Sequence, residues 1–334
     1  MTNKVRWGVL GVARIATQKV IPATMRGERS EVVAIASRDA DKARQAAQTL
    51  GIARAYGSYE ELLKDPDVEA VYNPLPNHLH VDWTTRVAEA GKHVLCEKPI
   101  AMSAAEAERL IHVRDSTGVH IQEAFMVRTH PQWIAALEIA QSGRLGEVRA
   151  ISGFFSYFNE DPANVRNIRD FGGGALYDIG CYLINTARFI FAREPQGVAA
   201  VVERDPRFGV DALTSFLLDF APGQVTALCS TQLVSSQRIL IFGTRGRLEI
   251  EIPVNAPPDR PCRIFVEDGS DLSGGSRQTI TFEACDQYTI QADRFSEAVR
   301  GDASPAYPLE DSVRNMQVID AVFRAALSGR WETV

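Results

Sequence analysis

The sequence predicts an α/β chain of two domains. An N-terminal doubly wound parallel sheet is expected over residues 1–125, and a C-terminal α+β domain with a large, mostly antiparallel sheet over 126–334. Two patterns and the length predict it. The first 125 residues alternate short, continuously apolar runs with amphipathic segments, as parallel strands buried on both faces require. After about residue 145, strand-like runs follow one another across turn signals, without long helices between them. At 334 residues, the chain also exceeds one average domain.

Taken in order, Val5–Leu10, Val32–Ala36, Ala70–Asn73, His93–Cys96 and Val119–Glu123 are the predicted strands of the first domain. Asp41–Leu50, His80–Ala90 and Ala104–Ser116 are predicted helices between them. Asp39 stands where an N-cap is needed and Gly51 where that helix must stop; Ser103 and Gly118 do the same for the third. In the second domain, Val148–Phe158, Gly197–Glu203, Thr214–Phe220, Gln224–Val234, Ile239–Phe242 and Leu248–Ile252 read as strands. Turns such as Ala221-Pro222-Gly223 and Gly243-Thr244-Arg245-Gly246 join them. Asn255–Gly275 reads as an exposed loop region interrupted by a short strand, and helices near Tyr288–Arg300 and Glu310–Ser328 close the chain.

Composition narrows the function. A hydrophobic share of 45% and a charged share of 23% are ordinary for a soluble globular protein. A formal charge of −6 supplies no broad cationic surface for nucleic acid. No apolar stretch approaches the roughly 20 residues of a membrane helix, and the opening MTNKVRWGVLG does not read as a secretory signal. Cysteines 96, 181, 229, 262 and 285 are scattered without a CxxC pair, which reads as reduced thiols in a cytoplasmic protein. No metal site is expected.

Gly8-Val9-Leu10-Gly11-Val12-Ala13-Arg14-Ile15-Ala16 follows the first strand and opens a helix. It approximates the Rossmann fingerprint G-x-G-x-x-G/A, in which small residues let backbone approach a pyrophosphate at a helix N-terminus. Gly11, Val12, Ala13, Arg14 and Ile15 form the predicted turn. Ala13 is the departure, adding one methyl where glycine is usual. Small residues in such a turn also occur for packing alone. At the end of the second strand stand Ser37 and Arg38, which suit the 2′-phosphate of NADP; the acid that reads an NAD ribose is lacking unless Asp39 serves. Asp39 has the N-cap as a sufficient structural task, and the expectation is therefore NADP. A solvated surface charge is the plain alternative for Arg38.

Two further segments carry the chemistry. Gly91-Lys92-His93-Val94-Leu95-Cys96-Glu97-Lys98-Pro99 ends a strand in a charged pair followed by proline. Gly172-Gly173-Gly174-Ala175-Leu176-Tyr177-Asp178-Ile179-Gly180-Cys181-Tyr182 is the second. With Pro74-Leu75-Pro76-Asn77-His78-Leu79-His80 and Glu123-Ala124-Phe125-Met126-Val127-Arg128, they resemble the glucose–fructose oxidoreductase/inositol dehydrogenase/MocA family over nearly the whole chain. The likeness is nearest to the branch of dimeric dihydrodiol dehydrogenase, NADP-dependent D-xylose dehydrogenase and 1,5-anhydro-D-fructose reductase. There the last motif position is often Tyr, as at Tyr182.

The resemblance implies that Lys98 lies beside the nicotinamide, that Tyr182 faces it from the second domain, and that Asp178 belongs to the substrate pocket. It also implies that Pro74, Leu75, Asn77 and His80 line the cofactor cleft, with Glu97 at the strand end. Oxidising a carbinol needs a base near neutral pH. Tyrosine, with a pKa of about 10, must be lowered by roughly three units, or about 4 kcal/mol. A unit positive charge about 4 Å away supplies on the order of 4 kcal/mol at an effective dielectric of 20. Tyr182 as acid/base with Lys98 as electrostatic partner is thus the expectation; Lys98 as proton carrier is the rival. Asp178 and Tyr182, four apart, would share a helix face. The bland reading of Tyr182 alone is a core aromatic.

Arg166, Asn167 and Arg169 precede the glycine run and are expected to line the pocket, with Phe154 on the strand leading to it. Phe154 and Phe158 share one strand face and Tyr157 the other, so one of the two sets is expected in the core. His130 reads as structural. The expected reaction is hydride transfer between NADP and a carbinol or carbonyl carbon of a sugar, anhydro-sugar, polyol or small cyclic diol. Two alternatives stand beside it: an aldose–aldose oxidoreductase with tightly bound NADP, and a non-catalytic NADP-sensing regulator. Alternation in the second sheet is compatible with a face-to-face homodimer.

Overall fold

The computed structural model describes residues 4–334. Two units emerge: residues up to Thr129 with Asp286–Val313, and His130–Cys285 with Arg314–Val334.

The first unit is built on six parallel strands, β1 (Val5–Leu10), β2 (Ser30–Ala36), β3 (Arg54–Tyr56), β4 (Ala70–Asn73), β5 (His93–Cys96) and β6 (Ile121–Glu123). Their order is β3-β2-β1-β4-β5-β6, which reverses direction between β1 and β4. Buried Val5, Trp7, Val9 and Leu10 in β1, and Val32 to Ala36 in β2, need cover on both faces, which the crossover helices provide. These are α1 (Ile21–Arg26), entered through a π-helical turn at Ala16–Val20, then α2 (Ala40–Leu50), α3 (Tyr59–Leu63), α4 (His80–Glu89) and α5 (Ala104–Thr117). The Asp39 carboxylate accepts the amides of Asp41 and Lys42, and Gly51 ends α2 at φ +71°. Ser103 accepts the Glu106 amide and Gly118 ends α5 in the same left-handed region.

The helix Gln287–Arg300 belongs with this sheet, whereas the sequence pattern assigned all of 126–334 to the second domain. Its apolar face explains the difference. Phe295 packs on Trp7 with ring centroids 5.3 Å apart, and the Trp7 indole donates to Ser296 Oγ at 3.1 Å. At its end Arg300 donates to both oxygens of Glu69 at 2.8 Å, and Arg6 donates to one of them. Hydrogen bonding from Arg300 is the main cause that holds the Glu69 carboxyl down to about 2. A carboxyl lowered on folding stabilises the native state above about pH 4.5 and loses that contribution as pH falls through about 2. Glu69→Gln is therefore expected to cost about 2 kcal/mol near neutrality and to lessen the acid dependence of the urea midpoint.

The second unit begins with α6 (Pro131–Gln141) and β7 (Val148–Phe158), then α7 (Cys181–Phe191), entered through a π-helical turn at Leu176–Gly180. The strands β8 (Gly197–Arg204), β9 (Asp211–Asp219), β10 (Gln224–Ser230), β11 (Gln232–Gly243), β12 (Arg247–Ile250), β13 (Cys262–Glu267), β14 (Gln278–Phe282) and β15 (Glu332–Thr333) follow. With β7 they form a nine-stranded sheet, β14-β13-β12-β11-β7-β10-β9-β8-β15. All its pairings are antiparallel except β10 with β7. The expected strand Gln224–Val234 is broken at Thr231. There Ser230 Oγ accepts the Gln232 amide at 3.0 Å and donates to the Ala212 carbonyl, so β10 stops. A longer β11 runs on through the expected Ile239–Phe242.

Candidate functional site

In the first unit the parallel strands β1, β2, β4 and β5 end on one edge, so Gly11, Ser37, Pro74 and Glu97 all follow strand ends there. Such an edge, beside the point where strand order reverses, is where a doubly wound sheet takes a ligand. Gly11 sits at φ +83° and donates its amide to Ala36 at 2.7 Å. A Cβ there would press on Leu75 at 3.1 Å and meet the Tyr59 hydroxyl at 3.5 Å. Val12, Ala13 and Ile15 are half-buried; Arg14 is exposed and bonds Gln18. Helix amides begin at this turn, so its residues fit the anionic middle of a dinucleotide.

The end of β2 is more specific. Asp39 is committed to capping α2, and Ser37 Oγ accepts the Asp39 amide at 3.2 Å. Exposed Arg38 lies near the Tyr59 phenol, whose hydroxyl borders the Gly11 turn. Burial raises the Tyr59 phenol, while Arg38 opposes that rise.

Glu97 accepts the Tyr72 hydroxyl at 2.6 Å and the Lys98 amide at 3.3 Å, so both charged residues are half-buried at the end of β5. Asn77 opens a short 3₁₀ turn, half-buried. His80 corrects an expectation. Its ring is fully buried, with Nδ1 2.7 Å from the Pro99 carbonyl and Nε2 2.6 Å from that of Leu75. It ties the loop after β4 to the loop carrying Lys98 and presents no surface to a cofactor. Burial pushes its ring down to about 4, so it is neutral at physiological pH. The neutral ring carries one N–H, so it donates to one of these carbonyls, and the other carbonyl faces a ring nitrogen without a proton.

In the second unit the glycine run makes a tight entry to the π-helical turn. Gly174 has φ +120°, and a Cβ on it would overlap Asp211 Oδ1. Asp211 Oδ2 accepts the Leu176 amide at 2.7 Å and the Thr214 hydroxyl at 3.1 Å. Burial raises this carboxyl to about 6. Gly180 packs against Cys229 of β10, where a Cβ would come within 2.8 Å of the sulfur. Held this way, the turn delivers Asp178 to Arg166, whose Nε forms an ion pair with Asp178 Oδ2 at 2.8 Å. The Tyr157 hydroxyl donates to the same oxygen at 2.5 Å. Tyr182 follows on α7, buried, with its ring edge-on to Phe155 at 6.4 Å.

Arg166 and Asp178 are thus brought together, and Tyr157 joins them. The strand pattern places Tyr157 on the face opposite Phe154 and Phe158, two residues from Phe155, and that shared face is the available signal. Phe154 is a correction. It lies 38% exposed on the opposite face of β7 from Phe155 and Tyr157, and so faces away from Tyr182. Asn167 is buried and donates to the Asp161 carbonyl at 2.9 Å, serving its own loop. Arg169 is exposed on the short turn Arg169–Phe171, beside Gly209. Neither stands with Asp178.

Two family models match the chain. That of an oxidoreductase family with an NAD-binding Rossmann fold covers residues 5–125, and that of the GFO/IDH/MocA C-terminal domain covers 133–249. An oxidoreductase of Rhizobium meliloti is 52% identical over 99% of both chains. The D-xylose 1-dehydrogenase (NADP(+)) 2 of Haloferax volcanii is 37% identical over 97% of this chain and 98% of its own. Among solved structures, a 3-ketoreductase from Actinomadura kijaniata in complex with NADP and TDP-benzene superposes with a TM-score of 0.90. It is 31% identical over 97% of this chain and 98% of its own. That enzyme was also solved with a tyrosine changed to phenylalanine, and with a lysine changed to alanine or glutamate. An aldose-aldose oxidoreductase from Caulobacter crescentus, complexed with glycerol, gives a TM-score of 0.89 at 29% identity, over 99% of this chain and 100% of its own.

Proposed function

The chain belongs to the glucose–fructose oxidoreductase/inositol dehydrogenase/MocA family of oxidoreductases, and from that premise we propose an NADP(H)-dependent dehydrogenase/reductase acting on a CH–OH group. Its substrate class is a sugar, anhydro-sugar, polyol or small cyclic diol. NADP, when bound, supplies the hydride acceptor for the alcohol or, reduced, the donor for the carbonyl. Gly11, Val12, Ala13, Arg14 and Ile15 would hold its pyrophosphate, and Ser37 and Arg38 its 2′-phosphate. Pro74, Leu75, Asn77, Glu97 and Lys98 would line the remaining length. Tyr182 Oη takes the proton of the substrate hydroxyl in oxidation and returns it in reduction. Lys98 contributes the positive charge that makes this possible near neutrality. Asp178 and Arg166 orient substrate hydroxyls.

The observation that supports NADP is the arrangement after β2. Asp39 is occupied by its cap, and the Arg38 charge lies near the Tyr59 phenol beside Gly11. With a panel of sugars, polyols and diols followed by nicotinamide absorbance, kcat/KM is expected to favour NADP over NAD by about tenfold or more. Arg38→Asp should reverse the preference. Equal use of both cofactors by the natural protein would overturn the assignment. A second reading, transfer between two aldoses through retained NADP, draws on the likeness to the Caulobacter enzyme. It predicts stoichiometric NADP in the purified protein.

We further propose a homodimer formed through the outward face of the nine-stranded sheet. Phe154, Leu228, Ser215 and Val201 stand in one cross-strand row on that face, with Leu217 beside them. Val201 is 74% and Leu217 42% exposed, an apolar strip of the kind that marks an interface. Sedimentation is expected to show dimers that Leu217→Glu dissociates; monomers alone in the natural protein would contradict the proposal.

A further inference from the structure

We infer that Tyr157 is a positioning residue that holds the Asp178 carboxylate in its working orientation and keeps it ionised. The inference rests on the proposed reading of Asp178 as a substrate-orienting group. Its physical basis is the convergence of a hydroxyl donor and a guanidinium on one oxygen, with Tyr157 Oη donating at 2.5 Å and Arg166 Nε paired at 2.8 Å. A carboxylate that receives a hydrogen bond and lies against a cation is favoured in its charged form, and the hydrogen bond fixes its direction.

The two partners differ in kind. Arg166 sits on the short turn Val165–Asn167 with 41% of its side chain exposed, where solvent screens it. Tyr157 stands on β7, where the register against β11 shifts between Ser156 and Phe158, on the face that carries Phe155 against Tyr182. Its hydroxyl is the neutral, donating half of the pair. Burial first, and the Asp178 charge second, push the Tyr157 phenol well above the usual tyrosine range. The hydroxyl therefore stays protonated and donating at any working pH. This separates its role from that proposed for Tyr182, which has to give up a proton.

Titratable groups near this pair include Cys229 on β10, Cys181 on α7 and, beyond Cys229, Asp211. Burial pushes Cys229 well up, so its thiol is neutral. Among these neighbours Arg166 supplies positive charge, and removing the Tyr157 hydroxyl leaves its ion pair with Oδ2 in place.

Tyr157→Phe deletes one oxygen and keeps the ring. Two readouts test the inference in the intact protein. The first is a ¹³C titration of labelled aspartate carboxyls, with Asp178 identified by its loss in Asp178→Asn. The Asp178 midpoint is expected to rise by about one unit in Tyr157→Phe. An unchanged midpoint overturns the inference whether or not the protein turns over sugars. The second is kinetic, on a substrate that the natural protein oxidises. There kcat/KM is expected to fall by about tenfold to a hundredfold, with the acidic limb of its pH profile moved up by a similar unit. A change in melting temperature with the limb unmoved would make Tyr157 merely structural. Failure of the natural protein itself to use any substrate of the panel would strike the functional reading instead, and the carboxyl titration would still decide the role of Tyr157.

Discussion

Replacing Tyr182 by phenylalanine is expected to lower kcat by about 10²–10⁴-fold, the usual contribution of a positioned acid–base group. The substitution keeps the buried ring and its edge-on contact with Phe155, so the melting temperature should barely change. Lys98→Met is expected to act on the same step through the phenol it no longer stabilises. Loss of on the order of 4 kcal/mol of electrostatic help corresponds to roughly three decades of rate. The pH profiles separate the two roles. In the oxidative direction kcat/KM rises with pH as the base loses its proton. Tyr182→Phe should abolish that ascending limb, whereas Lys98→Met should move it upward towards the ordinary tyrosine value of about 10. The opposite pattern, with the limb retained in Tyr182→Phe and absent in Lys98→Met, would make Lys98 the proton carrier.

The largest expected loss of stability in the second unit comes from Gly174→Ala. Gly174 has φ +120°, where an L side chain is strained, and the added methyl overlaps a buried carboxylate oxygen of Asp211. Backbone strain and displacement of that carboxylate together are expected to cost about 2–4 kcal/mol, read from the urea midpoint. The same variant should loosen the Leu176 amide from Asp211 and disturb the turn that carries Asp178, lowering activity even where the protein remains folded. Asp211→Asn is the complementary test. Burial raises this carboxyl from the ordinary 3.8 to about 6, so the folded state binds the proton more tightly than the unfolded chain. Its contribution therefore favours folding below about pH 3.8 and fades as pH rises through about 6, by roughly 3 kcal/mol in all. Asp211→Asn removes that dependence, so the variant should gain on the natural protein between pH 4 and 7. A constant difference in stability across that range would mean that the Asp211 carboxyl is not raised.

The first sheet was legible because its strands are continuously apolar and its helices carry their own stops. Asp39 and Gly51 bound α2 in the sequence and in the structure alike. The break between β10 and β11 was not legible, because Thr231 interrupts nothing in the pattern; the Ser230 hydroxyl, which donates across the sheet to Ala212 and accepts the Gln232 amide, ends the strand. Return of the helix Gln287–Arg300 to the first unit depends on Trp7 and Phe295, which lie 288 positions apart. No local periodicity carries that distance. At the candidate site the same division holds. Motifs brought forward Lys98, Asp178 and Tyr182 one residue at a time, and the tight turn at Gly173 and Gly174 is what joins Arg166 to Asp178. Phe154 and His80 misled for a shared reason: adjacency in sequence to a site does not say which way a side chain turns. Phe154 lies on the outer strand face, and the His80 ring is turned into the protein between two carbonyls.

The most direct measurement is the initial rate of NADP reduction by the natural protein and by Tyr182→Phe and Lys98→Met, across pH, on the best substrate of a sugar, polyol and diol panel. The account predicts NADP-linked oxidation in the natural protein, a loss of about 10²–10⁴-fold in Tyr182→Phe, and an ascending pH limb that moves upward in Lys98→Met. Undiminished oxidation by both variants, or a natural protein that binds NADP and turns over none of the panel, would contradict it.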